Sequence, residues 1–460
     1  MTETKIDADG LAARLRGALV RPGDPDYDEA RNLYNAMIDK RPALIARVAD
    51  VDDVVAAVSF GRESGLEVAI RGGGHNGAGL ASVDGGLVLD LSALNGVKVD
   101  PEARTVTIAG GALLRDVDAA TGAHGLATPA GIISSTGAGG LMLGGGVGHL
   151  TRRAGLSIDN IVGAQVVLAD GSVVEADETT HPDLFWAIRG GGGNFGVVAS
   201  ITARLHPVGD VVGGPMFWDL ERAGDILRWY REFILDAPEE LGGFFAFLSV
   251  PPAPPFPDEL HLLKVAAVIW CWTGPAEQAA EVLAEARAQP GLLLDSVQPV
   301  PFAALQGAFD PVYPAGDQWY WRGDFVTEIS DAAIERHQEF ATALPTWKST
   351  MHLYPTSGAP QRVGPADTPW AYRDANWAAV FAGVDPDPAN AEAIRTWTVD
   401  YFEALHPYSA GASYVNFLGE EGQKRVRATY GDNYSRLARI KAQYDPQNLF
   451  HVNQNIRPAA

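Results

Sequence analysis

The chain of 460 residues is long enough for two ordinary globular domains, and a hydrophobic fraction of 47% excludes a disordered protein. Its 57 acidic residues against 35 basic ones give a net charge of −22, which disfavours a nucleic-acid or anionic-membrane partner. The single cysteine, Cys271, excludes an internal disulfide and a cysteine-based metal cluster.

Targeting and metal signals are absent from the sequence. The N-terminal residues lack the apolar stretch of a secretory signal, and no run of about 18 uninterrupted apolar residues predicts a membrane helix. The histidines show no ligand spacing such as HxxxH, so no metal site is predicted. The expectation is a soluble, cytoplasmic protein.

From residue 42 to residue 207, predicted strands alternate with predicted helices. An amphipathic helix is expected to begin after Asp50, whose carboxylate can cap its first turn. Two hairpins are expected where short β-branched runs flank turn residues. The predicted strands are 66–70, 87–91, 97–99, 105–108, 165–168, 173–176 and one after Gly196, and the predicted helices include 113–123 and 182–188.

A glycine-rich segment, RGGGHNGAGL at residues 71–80, follows the strand at 66–70. Its glycines leave backbone N–H groups free to turn inward, which is how a loop forms a nest for an anion such as a diphosphate. His75 would then lie beside whatever the diphosphate carries. A glycine-rich loop with one histidine is, by itself, more often a simple turn than a cofactor site.

Two glycine triplets fit the spacing GxGxxG, one ending at Gly77 and one at Gly196. The dinucleotide-binding form of this motif requires a helix directly after the third glycine. The residues after Gly77 show no helical period, and those after Gly196 are β-branched and typical of a strand. A nicotinamide-type Rossmann domain is therefore disfavoured.

Between about residues 211 and 410, longer predicted strands alternate with helices. This pattern predicts an α+β domain with a mainly antiparallel sheet and helices on one face. The predicted strands are 244–250, 263–272, 319–328, 349–354 and 378–384, and the predicted helices are 223–235, 275–288, 331–344 and 390–405.

The order of these segments resembles the berberine bridge enzyme-like oxidases of the vanillyl-alcohol oxidase and p-cresol methylhydroxylase superfamily. The resemblance rests on RGGGHNGAG, on TPAGIISSTGAGGLMLGGGVG at 128–148, on DLFWAIRGGGGNFGVV at 183–198, and on SYVNF and YGDNYSRLARIKAQYDPQNLFHVNQNI near the C-terminus. It implies an α+β fold with a two-part FAD-binding domain of the p-cresol methylhydroxylase type. That domain is expected at 1–210, with a core of about 40–208, a substrate domain at 211–410, and a segment at 411–460 that returns to the FAD domain.

The resemblance also implies roles for individual residues. His75 is expected to bond covalently to the 8α-methyl of FAD, and the loop around it to wrap the pyrophosphate. The expected cofactor residues are Arg71, Gly72, Gly73, Gly74, His75, Asn76, Gly77, Gly79, Thr136, Gly137, Gly139, Gly140, Gly145, Gly146, Gly148, Gly196, Val198, Asn416, Asn453 and Asn455.

Two positions depart from the family pattern. Many members have a second covalent link through a cysteine where this chain has Ile133, so a single histidyl link is expected. Members with that cysteine often have a histidine where this chain has Leu141.

Oxidation by a flavin requires a group that takes the proton from the donor. His352 and Tyr354 are two apart on a predicted strand and so point to the same side, and Tyr414 and Asn416 have the same spacing. The candidate catalytic residues are Tyr414, Asn416, His352 and Tyr320, with the base unassigned. His149 is a further candidate for contact with FAD.

The expected activity is hydride transfer from a small organic donor, such as an alcohol, amine, phenolic or polycyclic compound, with O2 as acceptor. One alternative is a dehydrogenase of the same fold that uses another acceptor. A second is a ligand carrier without activity, against which the retention of His75 argues. The aromatic residues of the second domain favour a ring-bearing or polycyclic donor over a small acid. Tryptophans also stack on sugars, so a sugar donor stays open.

Overall fold

The computed structural model describes residues 7–460 of the chain. The N-terminal half contains two small sheets. The first sheet has the order β1-β2-β4-β3, with β2, β4 and β3 parallel. The second has the order β5-β6-β10-β8-β9 and is antiparallel. The strands are β1 (Ala18–Val20), β2 (Leu44–Arg47), β3 (Val68–Arg71), β4 (Leu87–Asp90), β5 (Val97–Asp100), β6 (Thr105–Ala109), β8 (Ile161–Val167), β9 (Val173–Ala176) and β10 (Val197–Arg204), and a separate pair joins β7 (Leu126–Ala127) to β11 (His206–Pro207).

Local signals in this half predict its elements well. The Asp50 carboxylate accepts from the backbone N–H of Asp53 at 3.1 Å and caps the helix that follows, as expected. Both predicted hairpins are present, as β5–β6 and β8–β9. A strand, not a helix, follows Gly196, which confirms that this glycine triplet does not open a Rossmann helix.

The α-helices of the described residues range from 4 to 15 residues in length. They are α1 (Ala8–Ala12), α2 (Tyr27–Arg31), α3 (Val51–Ser64), α4 (Leu114–Gly122), α5 (Ala138–Gly144), α6 (Thr151–Ala154), α7 (Ser157–Asn160), α8 (Pro182–Gly191), α9 (Ala223–Asp236), α10 (Ala279–Val282), α11 (Ala284–Arg287), α12 (Phe302–Gln306), α13 (Asp331–Thr342), α14 (Ala391–Leu405), α15 (Gly422–Tyr430) and α16 (Tyr434–Tyr444). Within residues 7–460, none of them combines the length and apolarity needed to cross a bilayer.

An eight-stranded antiparallel sheet dominates the second half and begins at Asp210. Its order is β15-β12-β14-β13-β18-β19-β17, and β16 also pairs with β12. The strands are β12 (Asp210–Asp219), β13 (Leu241–Ser249), β14 (Lys264–Trp272), β15 (Leu292–Asp295), β16 (Gln298–Pro301), β17 (Gln318–Val326), β18 (Thr350–Pro355) and β19 (Trp377–Asp385). The fold is therefore α+β, as predicted.

Several details of this half differ from the prediction, among them the unexpected elements β15, β16 and α12. The strand β12 was not expected, because its Gly213-Gly214-Pro215 sequence has the composition of a turn. The single helix predicted at 275–288 is wrong: two one-turn helices, α10 and α11, stand there, and the backbone of Leu283 between them leaves the helical region.

Alternation along the strands gives the large sheet two different faces. Phe245, Phe247 and Leu353 point to the side covered by α9, α13 and α14 and belong to a core of buried residues. Their neighbours Phe244 and Tyr354 point to the other side and join the core of the N-terminal half. The face without helices is therefore the one turned toward the glycine-rich segments.

A buried ion pair fixes the C-terminal segment to the third glycine-rich segment. The Nζ atom of Lys441 lies 2.6 Å from the carboxylate of Asp445, and neither side chain is exposed to solvent. Lys441 also donates to the carbonyls of Asn194 and Phe450, at 2.6 and 2.9 Å. Asp445 accepts from the backbone N–H groups of Leu449 and Phe450, so every charge here has several partners.

The substitution Lys441→Met should lower the free energy of unfolding by about 3–5 kcal/mol, because it leaves a buried carboxylate without its cation. Urea denaturation of the variant and the unmodified protein measures this difference. Lys424→Met, at an exposed position of α15, is the matched control and should change the value by no more than about 0.5 kcal/mol. Equal effects of the two substitutions would contradict the anchoring role of Lys441.

Candidate active site

A cavity of about 390 Å³ lies between the glycine-rich segments and the uncovered face of the eight-stranded sheet. This volume is in the range of small-molecule sites in proteins. One end is lined by backbone of the segments around Gly73, Gly139 and Gly192, and the other by aromatic side chains of the sheet. We call these the glycine end and the sheet end.

His75 lies in the wall of the cavity and is held on three sides. Its Nε2 atom is 3.1 Å from the hydroxyl of Ser135, and its Nδ1 atom is 3.5 Å from the hydroxyl of Thr136. The ring of Tyr34 stacks on the imidazole with a centroid distance of 3.8 Å. Burial lowers the pKa of His75 to about 4, so the imidazole is neutral at pH 7 and one of its ring nitrogens carries a lone pair.

Glycine is required at the glycine end for two different reasons. A Cβ atom at Gly73 would lie 2.3 Å from the backbone nitrogen of Gly137, because the two segments touch there. Cβ atoms at Gly140, Gly192 and Gly193 would meet nothing within 4 Å, and all three residues line the cavity. These three positions leave room and bare backbone for a ligand.

The sheet end holds several buried polar atoms that have no hydrogen-bond partner among the described residues. They are the Nε1 atoms of Trp319 and Trp321 and the Nε2 atom of His352. His352 bonds through Nδ1 to the hydroxyl of Tyr354 at 2.8 Å, which confirms that the two side chains share one side of β18. Unpaired buried polar atoms of this kind are expected where a ligand completes the site.

The C-terminal segment contributes Tyr414 and Asn416 to the cavity wall. The Tyr414 hydroxyl oxygen accepts from the backbone N–H of Gly146 at 2.9 Å and from the Asn416 amide at 2.6 Å. The Asn416 amide also donates to the carbonyl of Leu141 at 3.2 Å. Burial raises the pKa of Tyr414 above its ordinary value, and the two donors only partly oppose this.

Most of the residues expected to contact cofactor or donor are brought together in this cavity. The lining includes Gly72, Gly73, Gly74, His75, Asn76, Thr136, Gly137, Gly139, Gly140, Gly196, Val198, His352, Tyr414, Asn416 and Asn453. The substituted positions Ile133 and Leu141 line it as well.

The remaining expected residues do not line the cavity. The Arg71 guanidinium forms a buried ion pair with Asp90 at 2.8 Å, below the loop. The other glycines serve close packing, since a Cβ at Gly77 would strike the ring of Trp321 and one at Gly79 the side chain of Ile38. The residues in this group are Arg71, Gly77, Gly79, Gly145, Gly146, Gly148, Asn455 and Tyr320.

Tyr320 is the expected catalytic residue that the structure removes from the site. Trp319 and Trp321 line the cavity, so the alternation of β17 turns Tyr320 to the opposite face. There its hydroxyl accepts from Arg322 at 2.7 Å, and Arg395 lies over its ring. The prediction that Tyr320 is a catalytic residue of this cavity is therefore wrong.

His149 and Cys271 are also outside the cavity. His149 is buried beside Phe244 and does not line the cavity. Cys271 lies on β14, where burial raises the pKa of its thiol to about 12. Between residues 7 and 460, no group of three metal-ligating side chains is assembled.

Sequence reasoning missed an N-terminal segment that crosses both halves of the site. The Tyr34 hydroxyl donates to the carbonyl of Tyr313 at 2.8 Å while its ring covers His75. The amide of buried Asn35 pairs with the backbone N–H and carbonyl of Trp319, at 3.0 and 2.9 Å, and also donates to the carbonyl of Gly77. No sequence pattern in residues 32–38 predicts these long-range contacts.

The residues present fit FAD. The bare backbone at the glycine end suits a pyrophosphate, and the neutral imidazole of His75 lies in the same cavity wall. The indole N–H groups of Trp319 and Trp321 at the sheet end have no partner among the described residues. Asn453 lines the same cavity, and its amide oxygen is buried without a partner among the described residues.

Comparison with known proteins agrees with this geometry. Residues 42–177 match the family described as FAD binding domain, and residues 413–457 the family described as berberine and berberine like. The chain is 32% identical to an FAD-linked oxidoreductase of Dictyostelium discoideum, over 96% of this chain and 95% of that protein. It is 29% identical to a xylooligosaccharide oxidase of Thermothelomyces thermophilus, over 93% of this chain and 89% of that protein.

Among solved structures, the chain resembles 6-hydroxy-D-nicotine oxidase from Arthrobacter nicotinovorans with a TM-score of 0.86 and 27% identity, over 97% of this chain and 98% of that one. The sequence match along nearly the whole chain, the shared fold and the site geometry lead to one conclusion. The protein belongs to the berberine bridge enzyme-like family of FAD-linked oxidoreductases.

Proposed function

We propose that this enzyme carries FAD on a single covalent link through His75 and oxidises a small organic donor with O2 as acceptor. The observation that carries the proposal is the position of His75: a neutral imidazole, clamped between Tyr34 and Ser135, in the wall of a glycine-lined cavity. Ile133 and Leu141, at the two positions where relatives often have a cysteine and a histidine, support a single link.

When bound, FAD supplies the acceptor for the hydride of the donor. The chain supplies the groups that place the donor and move its proton. Tyr414 stays protonated at neutral pH because burial raises its pKa. Its oxygen already accepts two N–H donors, so its own proton is free to bond the oxygen of a donor molecule.

His352 is the candidate for receiving the proton from the donor, because it lines the cavity and its Nε2 atom has no partner among the described residues. Burial lowers its pKa to about 3, so the ring is neutral at pH 7. With Nδ1 protonated and donating to Tyr354, the Nε2 atom keeps a lone pair that has no partner among the described residues. Tyr354 then stabilises the charge that the ring acquires, and the apolar wall keeps water away.

O2 as acceptor is supported by the relatives named oxidases, which act on a nicotine derivative and on xylooligosaccharides. A dehydrogenase that uses another acceptor is the alternative. A screen of alcohols, amines and phenolics with purified holoprotein should therefore give about one hydrogen peroxide per donor oxidised. Turnover that requires an artificial dye and yields no peroxide would assign the alternative.

The variant His75→Ala should lose the covalent FAD, because no other nucleophilic side chain takes the place of the imidazole. Mass spectrometry of the denatured protein should find the wild-type protein heavier than its sequence mass by one FAD. The variant should lack this increment. His124→Ala, at an exposed loop position, is the control and should keep the increment. Wild-type protein without bound FAD, purified from flavin-replete cells, would contradict the proposal.

The variant His352→Gln should lower kcat by about 10²- to 10⁴-fold, the usual contribution of a general base, at unchanged FAD content. The rate is measured with the best donor of the screen and divided by the flavin concentration.

His337→Gln is a matched control for this experiment. His337 is also buried, also bonds through Nδ1 to a tyrosine hydroxyl, at 2.7 Å from Tyr401, and also has a pKa lowered by burial to about 3. It lies on the helix-covered side of the sheet, so this variant should lose stability but keep its rate per flavin. Similar rates in both variants would remove His352 from the mechanism.

A further inference from the structure

We infer that the donor is an uncharged aromatic or polycyclic alcohol, and that charged donors and free saccharides are rejected at the sheet end of the cavity. This inference rests on the function proposed above and names the substrate class of that same site. Three independent features of the cavity carry it: its charge, its aromatic wall and the state of its hydroxyl groups.

The cavity wall contains no ionised side chain. Among the described residues that line it there is no aspartate, glutamate, lysine or arginine, although these types make up 20% of the chain. The two histidines of the wall, His75 and His352, are neutral at pH 7 because burial lowers the pKa of each. A charged donor would therefore give up water without gaining a counter-ion, which is strongly unfavourable.

The ionised groups just behind the wall are already paired. Lys348 lies 2.5 Å from Asp317, with both side chains almost fully buried. Arg322 lies 3.2 Å from Glu421.

A carboxylate that acts electrostatically on His75 is also occupied. Asp310 accepts hydrogen bonds from the backbone N–H and the hydroxyl of Ser134. None of these groups is available to neutralise a charge on a ligand without breaking an existing contact.

The sheet end is shaped by aromatic rings. Tyr313 and Trp319 have ring centroids 5.2 Å apart, and Trp319 meets Trp321 at 5.9 Å with an interplanar angle of 80°. Phe309 and Phe417 extend the same wall, and Val380 and Ala382 line it as smaller side chains. Such walls favour a rigid apolar ring system, which buries a large area without losing conformational freedom.

The polar groups of this end are suited to a donor with few oxygens. The unpaired indole N–H groups of Trp319 and Trp321 can only donate, so they require acceptors such as carbonyl, ether or hydroxyl oxygens. A saccharide needs partners for many hydroxyl groups at once, and each one left unpaired weakens binding.

Three of the protein hydroxyls at this end already take part in hydrogen bonds within the protein. Thr350 donates to the carbonyl of Phe247 at 2.9 Å, Tyr313 to that of Lys348 at 3.3 Å, and the Tyr354 hydroxyl is bonded to His352. Thr350 and Tyr313 therefore have no proton to donate to a sugar, and their oxygens can only accept.

The test compares four probes by calorimetric titration of the FAD-containing protein: 2-naphthalenemethanol, 2-naphthoate, 2-naphthylmethylammonium and xylobiose. The neutral alcohol should bind at least tenfold more tightly than either charged analogue and than xylobiose. It should also be the probe that reduces the flavin fastest under anaerobic conditions. A charged probe or xylobiose that binds as tightly, or the absence of binding by all four at millimolar concentration, would overturn the inference.

A variant moves the preference in a defined direction. Val380 pairs with His352 across β18 and β19 and lines the cavity. Val380→Asp should increase the affinity for 2-naphthylmethylammonium relative to 2-naphthalenemethanol at least tenfold, because it supplies the missing counter-ion. Val380→Thr, of similar size and without charge, should leave that ratio unchanged, and an unchanged ratio in Val380→Asp would contradict the assignment.

The two proposals fail in distinguishable ways. A protein without covalent FAD in the mass spectrum overturns the histidyl link, whatever the four probes do. Equal affinities in a protein that does carry covalent FAD overturn the donor class alone. If Val380→Asp does not fold, the titrations of the unmodified protein still decide the question.

Discussion

The contact between Gly73 and Gly137 is the constraint from which the rest of the site follows. Two glycine-rich segments meet there, backbone against backbone, so closely that neither residue can carry a side chain. This contact places His75 beside Ser135 and Thr136 and leaves the amide groups around it bare. A side chain at either glycine would separate the segments and with them the walls of the cavity.

Electrostatics of the site depend on burial more than on charge. The surface of this protein is strongly acidic, yet the wall of its cavity is neutral, and the pKa values of its histidines and tyrosines are moved by desolvation. The anionic part of an FAD would be met by backbone dipoles instead of by arginine or lysine. Arg71, the one cation in the first glycine-rich segment, is bound to Asp90.

The sequence predicted those features that are written in neighbouring residues. The cap at Asp50, the two hairpins, the strand after Gly196 and the pairing of His352 with Tyr354 all depend on spacing within a few positions. The three glycine-rich segments were found for the same reason. Their meeting in one cavity was expected only through the resemblance to a family.

Features that depend on distant partners were not predictable in this way. Packing against α14 decides which face of β17 meets the cavity. The sequence therefore showed that Tyr320 and its tryptophan neighbours point to opposite faces, but not which of them faces the cavity. The strand β12 exists because β14 and β16 pair with its glycines. Asn35 reaches Trp319 across 284 positions of the chain, and no local pattern encodes such a contact.

The anchoring of the C-terminal segment has a consequence for biosynthesis. Tyr414, Asn416 and Asn453 complete the wall of the cavity, and Ile456 is tied to the side chain of Asn194 at 2.8 Å. A nascent chain still lacks this wall when its first glycine-rich segment leaves the ribosome. Assembly of the flavin pocket therefore requires residues 414–456 as well as the glycine-rich segments, and the yellow colour of the product would report a chain that contains both.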